Sequence, residues 1–340
     1  MVASAGAWAL VWGPGHGWPN ELRFLVACGA IIPLAGGMGK ATEDLANRCG
    51  EALGGFLNAT FGNAAELIIG ILALKRGLIL LVKASLVGSI LGNLLLVFGA
   101  ALLAGGWKRK EQVFNLQAAT ASSALLVLAV AGLALPSLER MTQGEAHVGF
   151  STAAAYILLG AYGLSLLFSL RTHTHLYTHN CPEEMIDTKT TRTALVGRLA
   201  AFAVLIGLYA EVLVGAVEGV ADSWGWGEVF VGVVIVAIVG NAAEHASAVM
   251  VAMKNRMDLS LHIAAGSTTQ IALFVAPALV LVGHAMGQPM DLVFSPLEVV
   301  AVALSVAGFS LIVQDGRSNW FEGTLLLSLY ALLGVAFWFA

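Results

Sequence analysis

Long apolar runs separated by brief polar interruptions divide the chain into membrane-length segments. A spanning helix needs about 20 mostly apolar residues. Residues 22–38 meet this, and 39–50, polar on one face through Lys40, Glu43, Asp44 and Arg48, extend the same helix into the interface. Further spans are predicted over 53–75, 78–106, 118–135, which stops at Pro136, and 147–170. The longest polar stretch, 171–192, falls near the midpoint of the 340 residues, and spans over 193–220, 229–253, 259–284, 297–313 and 320–340 follow it. Residues 3–13 are apolar but too short to cross before Pro14-Gly15.

The pattern therefore predicts an all-α polytopic membrane protein of 10–11 transmembrane helices. Residues 1–20 form a short N-terminal helix, 21–170 a first five-helix repeat, 171–192 a linker and 193–340 a second five-helix repeat. Five is odd, so the second half must enter the bilayer in the opposite sense, the arrangement of many secondary transporters.

Composition agrees: 58% of residues are hydrophobic and 11% charged, against about 25% charged in soluble domains. The net charge of −4 comes without any basic stripe, so nucleic acid is not an expected partner. Cys28, Cys49 and Cys181 are too widely spaced for a zinc site or a disulfide framework. The first residues lack a charged n-region and a cleavage site, so no signal peptide is read. If loops alternate between two sides, the linker's side collects 12 of the 17 Lys and Arg, among them Lys108, Arg109, Lys110, Lys254, Arg256 and Arg317. Positive loops remain in the cytoplasm, so the linker is expected to be cytoplasmic. Lys83, near the start of 78–106, is expected to carry its amine to the headgroups by snorkelling.

Within two of the apolar runs the same five residues recur. Gly62-Asn63-Ala64-Ala65-Glu66 is repeated 178 positions later as Gly240-Asn241-Ala242-Ala243-Glu244, and the same offset superimposes Gly88-Ser89 on Gly266-Ser267. A glutamate at mid-membrane depth costs several kcal/mol unless it is protonated, paired or bound to a cation. Asn63 and Glu66, three apart, share a helical face, as do Asn241 and Glu244. The small residues between them admit a second backbone, and Gly62 and Gly240 weaken the helix so that carbonyl oxygens become available. Ser89 and Ser267, with Asn93 and Gln270 about one turn further on, add hydroxyl and amide oxygens; ordinary interhelical hydrogen bonding is the alternative role for these four.

Hard oxygen ligands suit Ca²⁺, which takes six to eight oxygens. Two carboxylates close together in a low-dielectric site hold protons until a divalent cation replaces them. Two protons or one Ca²⁺ each neutralise the pair, whereas the empty, doubly charged site is costly to move. The reading is thus obligatory exchange of one divalent cation for about two protons by alternating access, Glu66 and Glu244 being the carriers. Oxygen ligands separate Ca²⁺ from Mn²⁺ poorly, so a Mn²⁺ or other divalent cation–proton exchanger is an alternative. An intramembrane hydrolase is a remoter one: the chain has no HExxH or GxSxG motif, so no enzyme activity and no cofactor are expected.

GNAAELIIGILALKRG with GSILGNLLLV, and GNAAEHASAVMVAMKNRMD with GSTTQIALFVAP, resemble the two repeats of the calcium/proton exchangers, the CAX branch of the Ca²⁺/cation antiporter superfamily. The likeness runs from about Ala30 to the Asn319–Gly323 stretch. It implies an eleven-helix antiporter that uses the proton gradient to expel cytosolic Ca²⁺, with Asn63, Asn241 and His245 lining the site. It also implies a homo-oligomer, commonly a trimer. Sodium-driven members of the superfamily, a second alternative, generally carry a further carboxylate near the position held here by Gln270-Ile271. The first helix is shorter than the family's, and the linker matches its acidic cytosolic segment only weakly. The compact linker suggests a prokaryotic plasma membrane.

Other ionisable residues have local readings. Glu211, among apolar neighbours, is a proton relay or an interhelical partner, and His245 points to another helix face than Glu244, where it would tune proton binding. Glu218, Asp222 and Glu228 make a solvated rim or a cation-gathering mouth. His173, His175 and His179, beside Glu183, Glu184 and Asp187, make a solvated loop or a pH-sensing patch. His262 and His284 are read as structural or interfacial.

Overall fold

The computed structural model describes residues 17–49, 61–144, 148–174 and 191–340. The residues of the expected short N-terminal helix, 1–16, and most of the expected linker, including His175, His179 and its acidic residues, lie outside them. Ten helices are described. The first half holds α1 (Asn20–Cys49), α2 (Ala64–Lys75), α3 (Ile79–Gly106), α4 (Leu116–Gln143) and α5 (Gly149–Thr172). The second holds α6 (Arg192–Trp224), α7 (Glu228–Met253), α8 (Met257–Ala285), α9 (Pro296–Val313) and α10 (Trp320–Trp338). Among the described residues, nine of these are long and apolar enough to cross a membrane, and α2 contributes 12 described residues of the run 53–75. The chain is an integral membrane protein.

Helix ends are fixed by local chemistry. Ser295 and Asn319 close capping boxes with Glu298 and Glu322 at the starts of α9 and α10. Gly144 and Gly225, at φ 79° and 68°, end α4 and α6 in the left-handed conformation. Pro136 does not stop α4, contrary to the reading of the sequence; the helix runs on to Gln143. Where no water can receive freed backbone groups, continuing the helix costs less than breaking it. The residue four before the proline is Gly132, against which Leu158 of α5 packs closely.

The inversion of the halves is visible in how α1 and α6 pack. A Cβ on Gly219 would fall 2.0 Å from Asn20 Nδ2, and one on Gly37 would fall 2.5 Å from Phe202. The start of α1 thus lies on the end of α6 and its middle on the beginning of α6. The opening helices of the two halves run antiparallel, as an odd number of spans per half requires.

The loops sort into two sides. On the linker side, β1 (Gln112–Val113) pairs antiparallel with β2 (Arg317–Ser318). There Arg109 donates to the Gly105 carbonyl and, at 3.1 Å, to that of Met253, and the Asn115 N–H donates to Asp258 at 2.5 Å. Three of the basic loops assigned to one side are therefore in mutual contact. On the opposite side, residues 286–295 fold back onto the helices: the Leu292 N–H donates to Ser151 Oγ at 3.1 Å and the Phe294 N–H to Ser137 Oγ at 2.8 Å. Lys83 meets this segment. It does not snorkel to the headgroups; 9% exposed, it pairs with Asp291, donates to the Val293 carbonyl at 2.7 Å and faces the Phe294 ring at 5.8 Å. A buried ammonium needs such partners. Aromatic clusters mark both interfaces, Trp107 with Trp320 on the linker side and Phe24, Trp224, Trp226 and Trp338 on the other.

Candidate cation-binding site

The repeated motifs meet in the middle of the bundle, on α2 and α7, flanked by α3 and α8. Glu66 lies in the first turn of α2 and Glu244 in the middle of α7. Glu66 reaches α7 beside Gly240, one helical turn before Glu244. Gly240 makes this approach possible: a Cβ there would lie 3.2 Å from Glu66 Oε1 and 3.5 Å from its Cδ. A small cavity lined by Glu66, Ser85, Ser89, Gly240 and Leu279 adjoins Glu66. Ser85 precedes Ser89 on α3 and Leu279 follows Gln270 on α8, so this cavity extends from Glu66 away from the linker side.

The backbone differs between the two motifs. Gly62 and Asn63 form a turn ahead of α2, with Asn63 at φ −101° and ψ 30°. Gly240 and Asn241 are continuous α-helix. The expected opening of the helix therefore occurs at Gly62 and not at Gly240, whose small size serves the contact with Glu66. α3 and α8 carry matching π-helical segments, Gly92–Val97 and Ile271–Val275, which end at equivalent positions under the 178-residue offset and differ by one residue at the start. Such widened turns gather at functional sites; here they begin about one turn after Ser89 and Ser267.

A polar network joins the halves. Asn63 Nδ2 donates to Gln270 Oε1 at 2.5 Å, Ser267 Oγ donates to Asn63 Oδ1 at 3.1 Å, and Asn93 Nδ2 donates to Ser267 Oγ at 3.1 Å. Across the pseudo-symmetry axis, Asn241 Nδ2 donates to Ser89 Oγ and to the Ala237 carbonyl, both at 2.9 Å. Asn63, Asn93, Asn241, Ser89 and Ser267 are all buried. Among the described residues, Asn241 Oδ1, Glu244 Oε2 and His245 Nε2 are buried without a hydrogen-bond partner.

The sequence-derived candidates thus fall into two groups. Glu66, Glu244, Asn63, Asn241, Ser89, Ser267, Asn93 and Gln270 converge, and His245 lies beside them, its ring over Gly92, where a Cβ would be 3.8 Å from the imidazole. Glu211 is elsewhere. It pairs with Arg76 at the end of α2, ten residues and about 15 Å beyond Glu66 along the helix. Glu218 and Asp222 are exposed on α6, His284 Nδ1 lies 2.7 Å from the Val280 carbonyl, and His173 stacks on Phe168. Sequence reasoning missed the Lys83–Asp291 pair. The usable signal was that residue 83, a lysine, superimposes on Leu261 under the repeat, so its charge had no symmetric counterpart.

A family model described as sodium/calcium exchanger protein matches residues 22–171 and 194–339, one block for each half. The chain belongs to this family. It is 46% identical over 344 residues to the Ca²⁺/H⁺ antiporter of Aphanothece halophytica, covering 95% of this chain and 91% of that one. It is 43% identical to the Ca²⁺/H⁺ antiporter ChaA of Bacillus subtilis (strain 168), covering 99% and 97%. The solved structure of native YfkE superimposes with a TM-score of 0.85 at 40% identity, covering 99% of this chain and 98% of that one. These relatives place the chain in the calcium/proton exchanger branch of the family.

Proposed function

We propose that the chain is a secondary antiporter that exchanges Ca²⁺ for H⁺ by alternating access, with Glu66 and Glu244 binding either cation. The observation that carries this reading is the pair of motif carboxylates brought together where Glu66 meets α7 at Gly240, one turn from Glu244, beside buried oxygens of Asn241 and Glu244 that no described donor satisfies. Such a pair is tolerable in hydrocarbon when it holds protons or a divalent cation and not when it holds neither. The proton-loaded and Ca²⁺-loaded forms are both neutral and can reorient; the bare dianion cannot do so cheaply. Coupling then follows from charge, with no requirement that the two ions ever occupy the site together. The similarity to Ca²⁺/H⁺ antiporters over nearly the whole chain supports the choice of ions. So does the amide and apolar pair Gln270-Ile271, which adds no third carboxylate for sodium. In this reading the linker and the β1–β2 loops are cytoplasmic, and the protein exports Ca²⁺ across a prokaryotic plasma membrane.

The test is ⁴⁵Ca²⁺ uptake into proteoliposomes. An inside-acid pH gradient is expected to drive uptake equally well in choline and in sodium buffers. Uptake that required a sodium gradient and ignored the pH gradient would refute the proton reading.

A further inference from the structure

Two motifs identical in sequence are engaged differently, and the difference bears on which of them holds the cation. Asn241 is oriented by a backbone carbonyl. The Ala237 oxygen, 2.9 Å away, can only accept, so the amide nitrogen must face it. The same nitrogen meets Ser89 Oγ, and Oδ1 is turned to the other side, buried and without a described partner. Glu244 Oε2, three residues on along the same unbroken helix, is in the same condition.

Asn63 has no such free oxygen. Its amide is bonded at both ends, to Gln270 Oε1 at 2.5 Å and to Ser267 Oγ at 3.1 Å. Exchanging nitrogen and oxygen in both Asn63 and Gln270 leaves both ends still bonded. The cause is a paired replacement in the repeat. Under the 178-residue offset Gln270 superimposes on Gly92, and His245 superimposes on Leu67. In one half a glutamine reaches Asn63. In the other, Gly92 has no side chain to offer Asn241, and the His245 ring occupies the space above it.

We propose that the site is functionally asymmetric: Asn241 and Glu244 on α7 form the preset oxygen pair for the cation, while Gln270 is a positioning residue that clamps Asn63. Gln270 then acts through Asn63 on the helix break that sets Glu66, and it supplies no oxygen to the ion. This rests on the exchange reading above and assigns its two halves different tasks.

The test compares Asn241→Ala, Asn63→Ala, Gln270→Ala and the double variant Asn63→Ala/Gln270→Ala. Each is assayed for ⁴⁵Ca²⁺ uptake per transporter in proteoliposomes and for equilibrium ⁴⁵Ca²⁺ binding in detergent. Asn241→Ala is expected to raise both the uptake KM and the binding Kd for Ca²⁺ by about tenfold or more, the loss of one ligand. Asn63→Ala and Gln270→Ala are expected to lower kcat while KM and Kd stay within about threefold of the parent, and the double variant is expected to be no worse than either single change. Equal rises in Kd for Asn63→Ala and Asn241→Ala, or a tenfold rise for Gln270→Ala alone, would overturn the asymmetry. Should the parent protein bind Ca²⁺ but show no pH-driven uptake, the exchange reading fails, and the Kd values still decide the asymmetry.

Discussion

Glu66→Gln and Glu244→Gln are each expected to reduce pH-gradient-driven Ca²⁺ uptake by about a hundredfold or more, equivalent to about 2.7 kcal/mol of lost transition-state and binding energy. Glutamine keeps the shape and one oxygen, so the packing of Glu66 against Gly240 survives and the variants should fold. What they lose is a charge that neutralises the divalent cation and a group that accepts a proton. With one carboxylate left, the Ca²⁺-loaded site carries a surplus positive charge within the bilayer and its reorientation becomes costly. Uptake assays on reconstituted variants, alongside size-exclusion profiles that verify folding, measure this. Substantial exchange in both variants would show that the ions are carried elsewhere.

The largest effect on stability is expected at Gly88. A Cβ at this position would lie 2.0 Å from the Val233 carbonyl oxygen and 2.6 Å from its carbon and Cα. Those atoms are backbone and cannot turn aside as a side-chain tip would. On the facing helix, a Cβ on Gly232 would come 2.7 Å from Ala84, so α3 and α7 cross at near-contact on two glycines. Gly88→Ala must force the helices apart just where α3 carries Ser89 and α7 leads to Asn241. Overpacking typically costs about 1–3 kcal/mol and more where the backbone cannot adjust, and the upper end applies. Gly160→Ala is the comparison: nothing lies within 4 Å of its added methyl, and alanine improves helix propensity by about 0.5–1 kcal/mol. Thermal unfolding followed by tryptophan fluorescence should rank the two, with Gly88→Ala well below the parent and Gly160→Ala at or above it. A Gly88→Ala protein as stable as the parent would contradict the close crossing.

Much of this was legible in the sequence because the bilayer simplifies the code. A backbone that must satisfy its own hydrogen bonds in hydrocarbon forms helices wherever the apolar run is long enough, and the expected 229–253 and 297–313 spans match α7 and α9 almost residue for residue. The repeated GNAAE motif points to the proposed site for the same reason, since a carboxylate at that depth needs a purpose, and the structure brings its two copies together. The misreadings have a common origin in long-range contacts. Pro136 was read by its local effect, whereas the environment of α4 decides. Lys83 was read as an isolated snorkelling residue because its partner Asp291 lies 208 positions away. The different engagement of Asn63 and Asn241 could not be read from motifs that are identical; it is set by Gln270 and Gly92, which a sequence alignment of the halves superimposes without saying what either touches.

The central claim, that the two motif carboxylates exchange one Ca²⁺ for protons without net charge movement, is tested most directly by recording Ca²⁺ entry and proton exit together in sodium-free proteoliposomes while the membrane potential is clamped at several values. The account predicts about two protons leaving per Ca²⁺ entering, at a rate independent of the potential. Ca²⁺ entry without proton exit, or a flux that rises and falls with the potential, would contradict it.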